Sequence, residues 1–447
     1  MKLHAPALIL ALTIGIVAHG QDGYIELSGS VTDRTSREPI AGATIRTVDG
    51  EYYTTSNGDG DYVLKLPESL KKSSVIFRSL GYAADTLTVK HLRRKPNVAM
   101  QPRAIELKAV EVGEYSSPKL LVEAALRNIP QNYSVDTTIG TFFYRDCRTL
   151  NDEVYLFDEM VFEALRVGYD KHHNIKKFKN KYNERTIASN YKAILYDRLM
   201  VLDTAWVDSI SYGMASAYTS YSDENVLSDD LEAPYASSIF SDLKNYNMTM
   251  TKQTDGQSAD YYVVTINNKK KKSNVGAGVK ANVEMTMKLY IAYGTLAITR
   301  IETTETESVS KFPPIVKAFV KKYGLDSIST KYHSDVRYSE IGNRYTLTSD
   351  YTRTQFTIYC KPNSLIGQER QCYDIVTQLQ LTKQGRGDAS FLKTRKIQSP
   401  KTISITDRTI GKIEYDDSFW NQYSYVPLEA SMRQKLMKRL SMGKQYR

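Results

Sequence analysis

The sequence predicts a mainly β protein: a seven-stranded N-terminal β-sandwich followed by a large antiparallel sheet with a few helices. The 447 residues include 33 Tyr beside 12 Phe and 2 Trp, and tyrosine suits strands with one partly solvated face. Short alternating runs recur between turns rich in Gly, Pro and Asn. With 41% hydrophobic and 25% charged residues and only 3 Cys, the chain is globular, of about two domains, and neither disordered, collagen-like nor disulfide-built.

The first twenty residues have the three parts of a secretory signal peptide. Lys2 supplies the positive charge, residues 7–17 an apolar core, and Ala-His-Gly at 18–20 a small-x-small cleavage site. We therefore expect an exported protein of the periplasm or the outer-membrane surface, with a mature chain that begins near Gln21. No Cys follows the cleavage site, so no lipid anchor is expected, and no later run has the ~18 apolar residues of a spanning helix.

The charge surplus is modest and dispersed. A formal net charge of +10 is spread over the whole length, which is no indication of a nucleic-acid partner. It suits proximity to anionic lipid or polysaccharide, and solubility alone explains it as well. The expected partner is an envelope glycan, lipid or protein, and a position of the chain at the periphery of the outer membrane is one alternative.

Residues 21–112 predict the sandwich. The polar turn at 33–39 and the Asn-Gly-Asp-Gly sequence at 57–60 separate short strands. The clearest strand runs are 25–31, 43–48, 62–66, 75–77 and 87–89. Short strands at this spacing are typical of a small sandwich.

An ordered set of motifs in this region carries a family resemblance. The motifs are Gly29-x-Val31-x-Asp33, Pro39-Ile40-x-Gly42-Ala43-x-Ile45, Asn57-x-x-Gly60-x-Tyr62, Leu66-Pro67 and Gly81-Tyr82. Together they resemble the carboxypeptidase-regulatory-like domain, a transthyretin-like sandwich at the N-terminus of many Gram-negative envelope proteins, TonB-dependent transporters among them. In that family the module is accessory and has no catalytic groups, so the resemblance implies no peptidase activity.

The turn at residues 57–61 also has an alternative interpretation as a calcium loop. Asn57, Asp59 and Asp61 alternate, and Glu68 follows eleven positions after Asn57. The sixth position is Tyr62, however, where the sharp turn of a calcium loop needs Gly. A plain hairpin turn is favoured, and no metal site is predicted.

The second part begins with a predicted linker helix at 113–130. Ser117 is suited to the N-cap and Pro118 to the first turn, and Pro130 ends the helix. Residues 131–427 are expected to form a β-rich antiparallel domain. Its first runs, 141–148 and 154–167, are predicted as strands, although the second could also be a helix; the later runs are 261–266, 282–290, 296–304, 329–339 and 344–360.

The hairpin at residues 288–302 is similar to those of bacterial lipoprotein-carrier and sensor proteins. The segments concerned are Lys-Leu-Tyr-Ile at 288–291 and Ala-Ile-Thr-Arg-Ile-Glu at 297–302. This resemblance implies a half-barrel-like open sheet that wraps a central helix.

Two basic amphipathic helices are predicted. In residues 312–323 apolar positions recur at helical spacing beside Lys317, Lys321 and Lys322. These lysines are candidates for membrane or anion contact, whereas the simpler interpretation is that the helix packs on the sheet. Residues 428–447 predict a basic C-terminal helix docked on the sheet.

Cysteine spacing permits one disulfide. Cys360 and Cys372 flank a turn-like stretch that can bring two neighbouring strands together, but only the geometry decides whether they are bridged. Cys147 lies in an aromatic run and is interpreted as a small buried hydrophobe.

No catalytic or cofactor-binding constellation is found. A zinc peptidase needs His and Glu at fixed offsets, and the one imidazole pair, His172-His173 near Asp170, is interpreted as a solvated turn rather than a metal patch. There is no G-x-S-x-G elbow, P-loop or dinucleotide fingerprint. The four lysines at 269–272 are interpreted as a solvated hairpin loop in preference to an anion site.

The expected function is therefore that of a non-enzymatic envelope protein that binds or scaffolds an unidentified ligand. The alternative is a periplasmic lipid or lipoprotein carrier with an apolar cavity under the sheet. A hydrolase is a minor alternative that rests on the family name alone.

Overall fold

A computed structural model provides the coordinates. It describes residues 23–103, 106–108, 115, 117–135, 138–166, 186–196, 238–254, 261–269, 272–274, 280–312, 320–321, 324–362, 369–386 and 421–443. The predictions made for the signal peptide at 1–20, for Asp170, His172 and His173, for Lys270 and Lys271, and for Lys317 and Lys322 lie outside these residues.

The N-terminal part is a sandwich of seven strands in two sheets, as predicted. The strands are β1 (Tyr24–Asp33), β2 (Thr44–Thr47), β3 (Tyr53–Thr55), β4 (Asp61–Pro67), β5 (Ser74–Arg78), β6 (Asp85–Thr88) and β7 (Val98–Met100). One sheet has the order β4-β1-β7 and the other β3-β2-β5-β6. The pairs are antiparallel except β1 with β7, and a short helix, α1 (Val89–Leu92), connects β6 to β7.

The sandwich core follows from the alternation of apolar residues along each strand. Leu27 and Val31 of β1 face Ile45 and Phe77 of the other sheet, and all are buried. Tyr62 packs edge-on against Phe77 with ring centroids 5.6 Å apart. Its hydroxyl donates to the Pro96 carbonyl oxygen at 2.8 Å, which satisfies the one polar atom that this core ring carries.

The second part is built on one antiparallel sheet of twelve strands. They are β8 (Glu106–Lys108), β9 (Thr138–Leu150), β10 (Glu153–Arg166), β11 (Thr186–Tyr196), β12 (Tyr246–Thr254), β13 (Tyr261–Asn268), β14 (Lys272–Asn274), β15 (Lys280–Ala292), β16 (Ile298–Val309), β17 (Leu325–Ile341), β18 (Arg344–Cys360) and β19 (Arg370–Arg386). The order is β11-β10-β9-β19-β18-β17-β16-β15-β13-β12-β8, with β14 paired to β15. The mainly β prediction is confirmed, and the run at 154–167 is a strand.

One face of this large sheet is apolar and is covered by α2 (Pro118–Arg127) and α3 (Ile129–Asn132). Leu121 and Ile129 pack against Leu289, Ile298 and Leu347 in a single buried cluster. The predicted N-terminus of α2 is confirmed: the Ser117 side chain accepts from the backbone N–H of Leu120 at 3.3 Å. The segment predicted as a linker therefore contains the helix that fills the core of the second part.

The C-terminal helix α4 (Ala430–Gly443) docks on the opposite face, as predicted. Leu428, Met432 and Leu436 contact a small apolar cluster at the β9–β10 hairpin that contains Cys147 and Phe157. Because these side chains recur every four residues, they form one stripe along the segment and the helix.

The structure does not form the disulfide that the spacing of Cys360 and Cys372 permits. The turn does bring β18 and β19 together, but Cys372 lies opposite Thr357, three residues from Cys360. Three residues span roughly 10 Å along a strand, and an odd offset places the two side chains on opposite faces. Two such thiols cannot reach disulfide distance.

No helix among the described residues is both long enough and apolar enough to cross a membrane.

Glu307 of β16 is a buried carboxyl on the apolar side of the sheet. It is 4% exposed, and its Oε1 has no hydrogen-bond partner among the residues that the structure describes. Burial, with a smaller contribution from the nearby Glu305 carboxylate, raises the pKa of Glu307 to about 7. Ionisation of Glu307 therefore opposes folding.

Replacing Glu307 by Gln tests this directly. Because the folded-state pKa lies above the unfolded value, the protonated side chain favours the fold at low pH, and that advantage is lost as the pH rises through about 7. We expect wild type and Glu307→Gln to unfold alike near pH 5 and the variant to be more stable near pH 8, by up to roughly 3 kcal/mol. Urea unfolding across this range measures the difference. Glu340→Gln, at an exposed position of β17, is the control, and a pH-independent difference for Glu307→Gln contradicts the assignment.

Candidate functional site

The face of the large sheet that carries α4 is rich in polar and charged side chains. In an antiparallel sheet, residues directly opposite each other project from the same face. The register places two rows across neighbouring strands. One row is Glu302, Asp335, Tyr351, Gln378, Arg145 and Glu159, and the next is Thr304, His333, Arg353, Val376, Cys147 and Phe157.

A cavity of about 720 Å³ lies over this polar face. The sandwich contributes residues 41–42 and 55–58, and the C-terminal segment contributes residues 427–435. The sheet contributes side chains that include His333, Tyr351, Arg353, Asp374 and Gln378. We call this cavity, between the sandwich, the sheet and α4, the interface cleft.

Two groups of charged side chains at the interface cleft form ion pairs with more than one hydrogen bond each. Arg353 donates to both oxygens of Asp374, with Nε–Oδ1 at 2.9 Å and Nη2–Oδ2 at 2.6 Å. Asp335 accepts from Arg300 at 2.8 and 2.9 Å and from Nη2 of Arg337 at 2.7 Å. Burial alone would raise the pKa of Asp335, but the two guanidinium groups outweigh it and the pKa is lowered. Asp335 therefore stays ionised, and these polar groups are fixed in position before any ligand binds.

Arg145 joins the sheet to the C-terminal segment. Its guanidinium donates to Glu159 Oε1 (Nε–Oε1 2.8 Å), to the carbonyl oxygen of Val426 at 2.7 Å and to Gln378 Oε1 at 3.4 Å. Both Arg145 and Glu159 are buried. A buried pair with additional hydrogen bonds is well compensated, whereas either partner left alone is costly.

Direct hydrogen bonds hold the sandwich against the sheet. Nη1 of Arg337 donates to the Gly42 carbonyl oxygen, and Thr55 Oγ1 donates to Gln380 Oε1 at 2.8 Å. Gly42 has φ +64°, and a Cβ built there would lie 2.5 Å from Nη1 of Arg337. Two constraints therefore require glycine at this position of the motif: the left-handed backbone conformation and the close approach of Arg337.

The turn at residues 57–61 positions the C-terminal segment. Asn57 Oδ1 accepts from the backbone N–H groups of Asp59 and Asp61 at 3.0 and 2.8 Å, and Asn57 Nδ2 donates to the Pro427 carbonyl oxygen at 3.2 Å. Asp59 Oδ2 accepts from the N–H of Ala430 at 2.6 Å, at the start of α4. Among the described residues no cluster of three or more His, Cys, Asp or Glu could hold a metal ion. The oxygens of the turn serve these structural contacts. The turn is not the predicted hairpin, because β3 and β4 lie in different sheets and the chain crosses from one to the other here.

The Cys147 thiol and the Tyr351 hydroxyl of the cleft remain protonated at neutral pH. Burial, together with the neighbouring Asp146 carboxylate, raises the pKa of Cys147 to about 12, and its Sγ lies 3.4 Å from the Met432 sulfur. Burial, and to a smaller extent Glu429, raises the pKa of Tyr351 to about 12. A thiol in this setting is not a nucleophile, and the Tyr351 hydroxyl acts as a hydrogen-bond group.

The candidate site residues that the structure describes do not line the cleft, although Asn57 and Cys147, which the sequence analysis discussed for a turn and a buried thiol, do. Cys360, Cys372 and Lys321 are absent from its described lining. The residues that form it, such as Asp335 and Arg353, were not identified from sequence because they are brought together from different strands. Their one local signal is the alternation Lys-x-His-x-Asp-x-Arg at 331–337, which marks a continuous polar face on β17.

The architecture is that of a small sandwich docked on a large antiparallel sheet. The family model of the CarboxypepD_reg-like domain matches residues 27–112, which confirms the resemblance drawn from the motifs. None of the curated proteins matches the chain. A crystal structure of a LolA superfamily protein from Nitrosomonas europaea is similar at 8% identity and a TM-score of 0.19, covering 61% of this chain and 97% of that one. A TM-score this low carries no argument about fold or function.

Gly42→Ala tests the docking of the sandwich. Gly342, in the β17–β18 turn, has φ +65° with no atom within 4 Å of a built Cβ, so Gly342→Ala is a matched control that introduces the backbone strain alone. Both variants should lose about 1–2 kcal/mol from the left-handed conformation. Gly42→Ala should lose about 2 kcal/mol more in the free energy of unfolding, because Arg337 must leave its carbonyl acceptor. Equal losses would show that the approach of Arg337 does not matter.

Arg145→Met tests the buried ion pair. The variant leaves the Glu159 carboxylate buried without its partner, and we expect a loss of about 3–5 kcal/mol in the free energy of unfolding, measured with urea. The double variant Arg145→Met/Glu159→Leu removes both charges and should recover most of that loss. A double variant as unstable as the single one would show that the charge on Glu159 is not the cause.

Proposed function

We propose that this chain is an exported, non-enzymatic binding protein of the bacterial envelope that holds a saccharide-type ligand in the interface cleft. Export is supported by the signal-peptide pattern of residues 1–20. The envelope is supported by the match of residues 27–112 to the CarboxypepD_reg-like domain, a module that in its family is accessory. The fold as a whole is compatible with a binding or carrier role.

The observation that carries the proposal is the chemistry of the cleft wall. Tyr351, His333, Gln378 and the Arg353–Asp374 pair line one continuous face. Rings with polar edges and fixed donors and acceptors suit a ligand with many hydroxyl groups, because each hydroxyl both donates and accepts. Rigid ion pairs also reduce the entropy lost when the ligand binds.

Catalysis is not supported by the same wall. Two carboxylates of the cleft wall are held in place by arginines, Asp374 by Arg353 and Asp335 by Arg337. The buried thiol of Cys147 has its pKa raised to about 12. A general acid or base needs a pKa near the working pH and a position beside the reacting group. Binding is therefore the function that the geometry favours.

The lipid-carrier alternative requires an apolar cavity under the sheet. In the described residues the apolar face of the sheet is packed by Leu121, Val122 and Ile129 of α2 and α3. The described wall of the interface cleft is mixed, with apolar side chains such as Val376, Leu428 and Met432 beside the charged and polar groups. Lipid remains an outcome for the experiment to test.

The experiment is native mass spectrometry of the protein purified from its own envelope fraction, with analysis of released saccharide and extracted lipid. Ser431 is exposed and lines the cleft on the first turn of α4. Ser431→Trp should fill the cleft and abolish co-purified saccharide without removing any paired side chain. Gln434→Trp, equally exposed on the same helix and absent from the described cleft lining, is the matched control and should retain saccharide at the wild-type level.

Three outcomes overturn the proposal. A stoichiometric lipid that survives in Ser431→Trp would favour the carrier. Saccharide retained equally in both tryptophan variants would place the ligand outside the cleft. A protein that carries no saccharide and does not bind the polysaccharide fraction of its own envelope would have another function.

A further inference from the structure

A second cavity, of about 300 Å³, lies beside the interface cleft. The loop that follows β5, residues 78–84, forms one wall. The other wall crosses five strands of the large sheet, with side chains from β12, β13, β15, β16 and β17. Gly42 and Arg337 line both cavities, so the second cavity is contiguous with the cleft. We call it the arginine pocket, after Arg78, Arg300 and Arg337.

The described wall of the arginine pocket carries cations without acids. Arg78, Arg300 and Arg337 line it, and no Asp or Glu is among its described lining residues. Arg300 and Arg337 lie directly opposite each other on β16 and β17. Like charges in that position repel, and the shared carboxylate of Asp335 behind them compensates for one of the two. Glu302 Oε2 also lies 3.7 Å from Arg300 Nη2, so three guanidinium groups against the two carboxylates of Asp335 and Glu302 leave a surplus of one positive charge at the pocket.

Several guanidinium donors are available to a ligand. Arg337 is occupied by Asp335 and the Gly42 carbonyl oxygen. Arg300 uses Nε and Nη2 on Asp335, and Nη1 has no partner in the part of the chain that the structure describes. Over the same residues, no carboxylate lies within 4.0 Å of the Arg78 guanidinium. Guanidinium groups of this kind bind carboxylates and phosphates through paired hydrogen bonds.

One unsatisfied hydrogen-bond acceptor in the wall indicates that the ligand carries hydroxyl groups. Gln253 Oε1 is buried and has no hydrogen-bond partner among the described residues. Gln253 lines the pocket together with Tyr290 and Thr299. A buried acceptor without a partner costs about 1–3 kcal/mol unless a bound group satisfies it. A ligand with an anionic group and a neighbouring hydroxyl serves both Arg78 and Gln253.

We propose that the arginine pocket binds the anionic group of an acidic saccharide, a carboxylate or a phosphate, whose neutral part extends into the interface cleft. This inference rests on the proposed function and specifies the ligand class. Arg78 and Nη1 of Arg300 bind the anion, and Gln253 accepts from an adjacent hydroxyl. Arg337 positions the pocket by holding Gly42 of the sandwich over the sheet.

The test compares two arginine variants of the full chain. Arg78→Gln removes one pocket cation at an exposed position, so the fold should persist. Arg93→Gln removes an exposed cation of the sandwich that is not among the described pocket residues, and is the matched control for net charge. Calorimetric titrations at constant ionic strength use galacturonate, glucose 6-phosphate, inorganic phosphate and glucose as probes.

We expect one acidic sugar to bind wild type and Arg93→Gln alike, and Arg78→Gln about tenfold more weakly or worse. Tighter binding of galacturonate than of glucose 6-phosphate identifies a carboxylate ligand, and the reverse order of affinities identifies a phosphate. If inorganic phosphate binds as tightly as the better acidic sugar, the sugar hydroxyls contribute nothing to the affinity. That result contradicts the proposed role of Gln253. Equal binding to all three proteins, or no binding of either acidic sugar, overturns the inference.

The variants Ser431→Trp and Arg78→Gln together distinguish a wrong assignment of the arginine pocket from a wrong assignment of the interface cleft. Ser431→Trp fills the interface cleft and leaves Arg78, Arg300 and Gln253 in place. If Ser431→Trp loses its co-purified saccharide while Arg78→Gln keeps full affinity for the acidic sugars, the cleft binds saccharide and the arginine pocket is wrong. If Ser431→Trp changes nothing and Arg78→Gln loses the acidic sugars, the pocket binds an anion and the proposed function of the cleft is wrong.

Discussion

The contact between Arg337 and the Gly42 carbonyl oxygen is the interaction on which both cavities depend. Arg337 is fixed on the sheet by Asp335, which Arg300 also holds, and from there it reaches the turn before β2 of the sandwich. A side chain longer than hydrogen at residue 42 would occupy the place of the guanidinium. The contact therefore sets the distance between the sandwich and the sheet, and with it the width of the interface cleft and of the arginine pocket.

The two faces of the large sheet have different roles because they have different chemistry. The apolar face is closed by α2 and α3, and its burial supplies most of the stability of the second part. The opposite face has to be covered by elements that can satisfy charges. The sandwich does so with the Gly42 carbonyl oxygen, which accepts from Arg337, and with Thr55, which donates to Gln380. The C-terminal segment does so with the Val426 carbonyl oxygen, which accepts from Arg145. A polar face covered in this way leaves spaces lined with fixed hydrogen-bond groups.

The alternation of residues was enough to predict seven strands of the large sheet, whereas β8, β11, β12, β14 and β19 were not predicted. The ordered glycine and proline motifs were enough to predict the sandwich. The run at residues 344–360 has the bounds of β18 in the structure, because alternation over so many residues has no helical counterpart. The partner of a helix was not predictable in the same way. The apolar stripe of α2 fits a linker as well as a core helix, and only the long-range packing against Leu289 and Ile298 decides between them. The disulfide failed for a related reason: register and face depend on pairing, which spacing along the chain does not specify.

The candidate site could not be predicted from sequence because each of its charged groups is ordinary where it stands. Arg300 and Asp335 are unremarkable residues of amphipathic strands, thirty-five positions apart. They acquire a function only when antiparallel pairing places them side by side and a second domain removes them from water. A buried charge that is fully paired is stable but adds little to affinity. In the proposed binding mode, the unpaired donors of Arg78 and of Nη1 of Arg300 are therefore the groups that distinguish one ligand from another, and they lie where the sandwich meets the sheet. Under this proposal the sandwich is part of the binding site, since residues 78–84 form one wall of the arginine pocket.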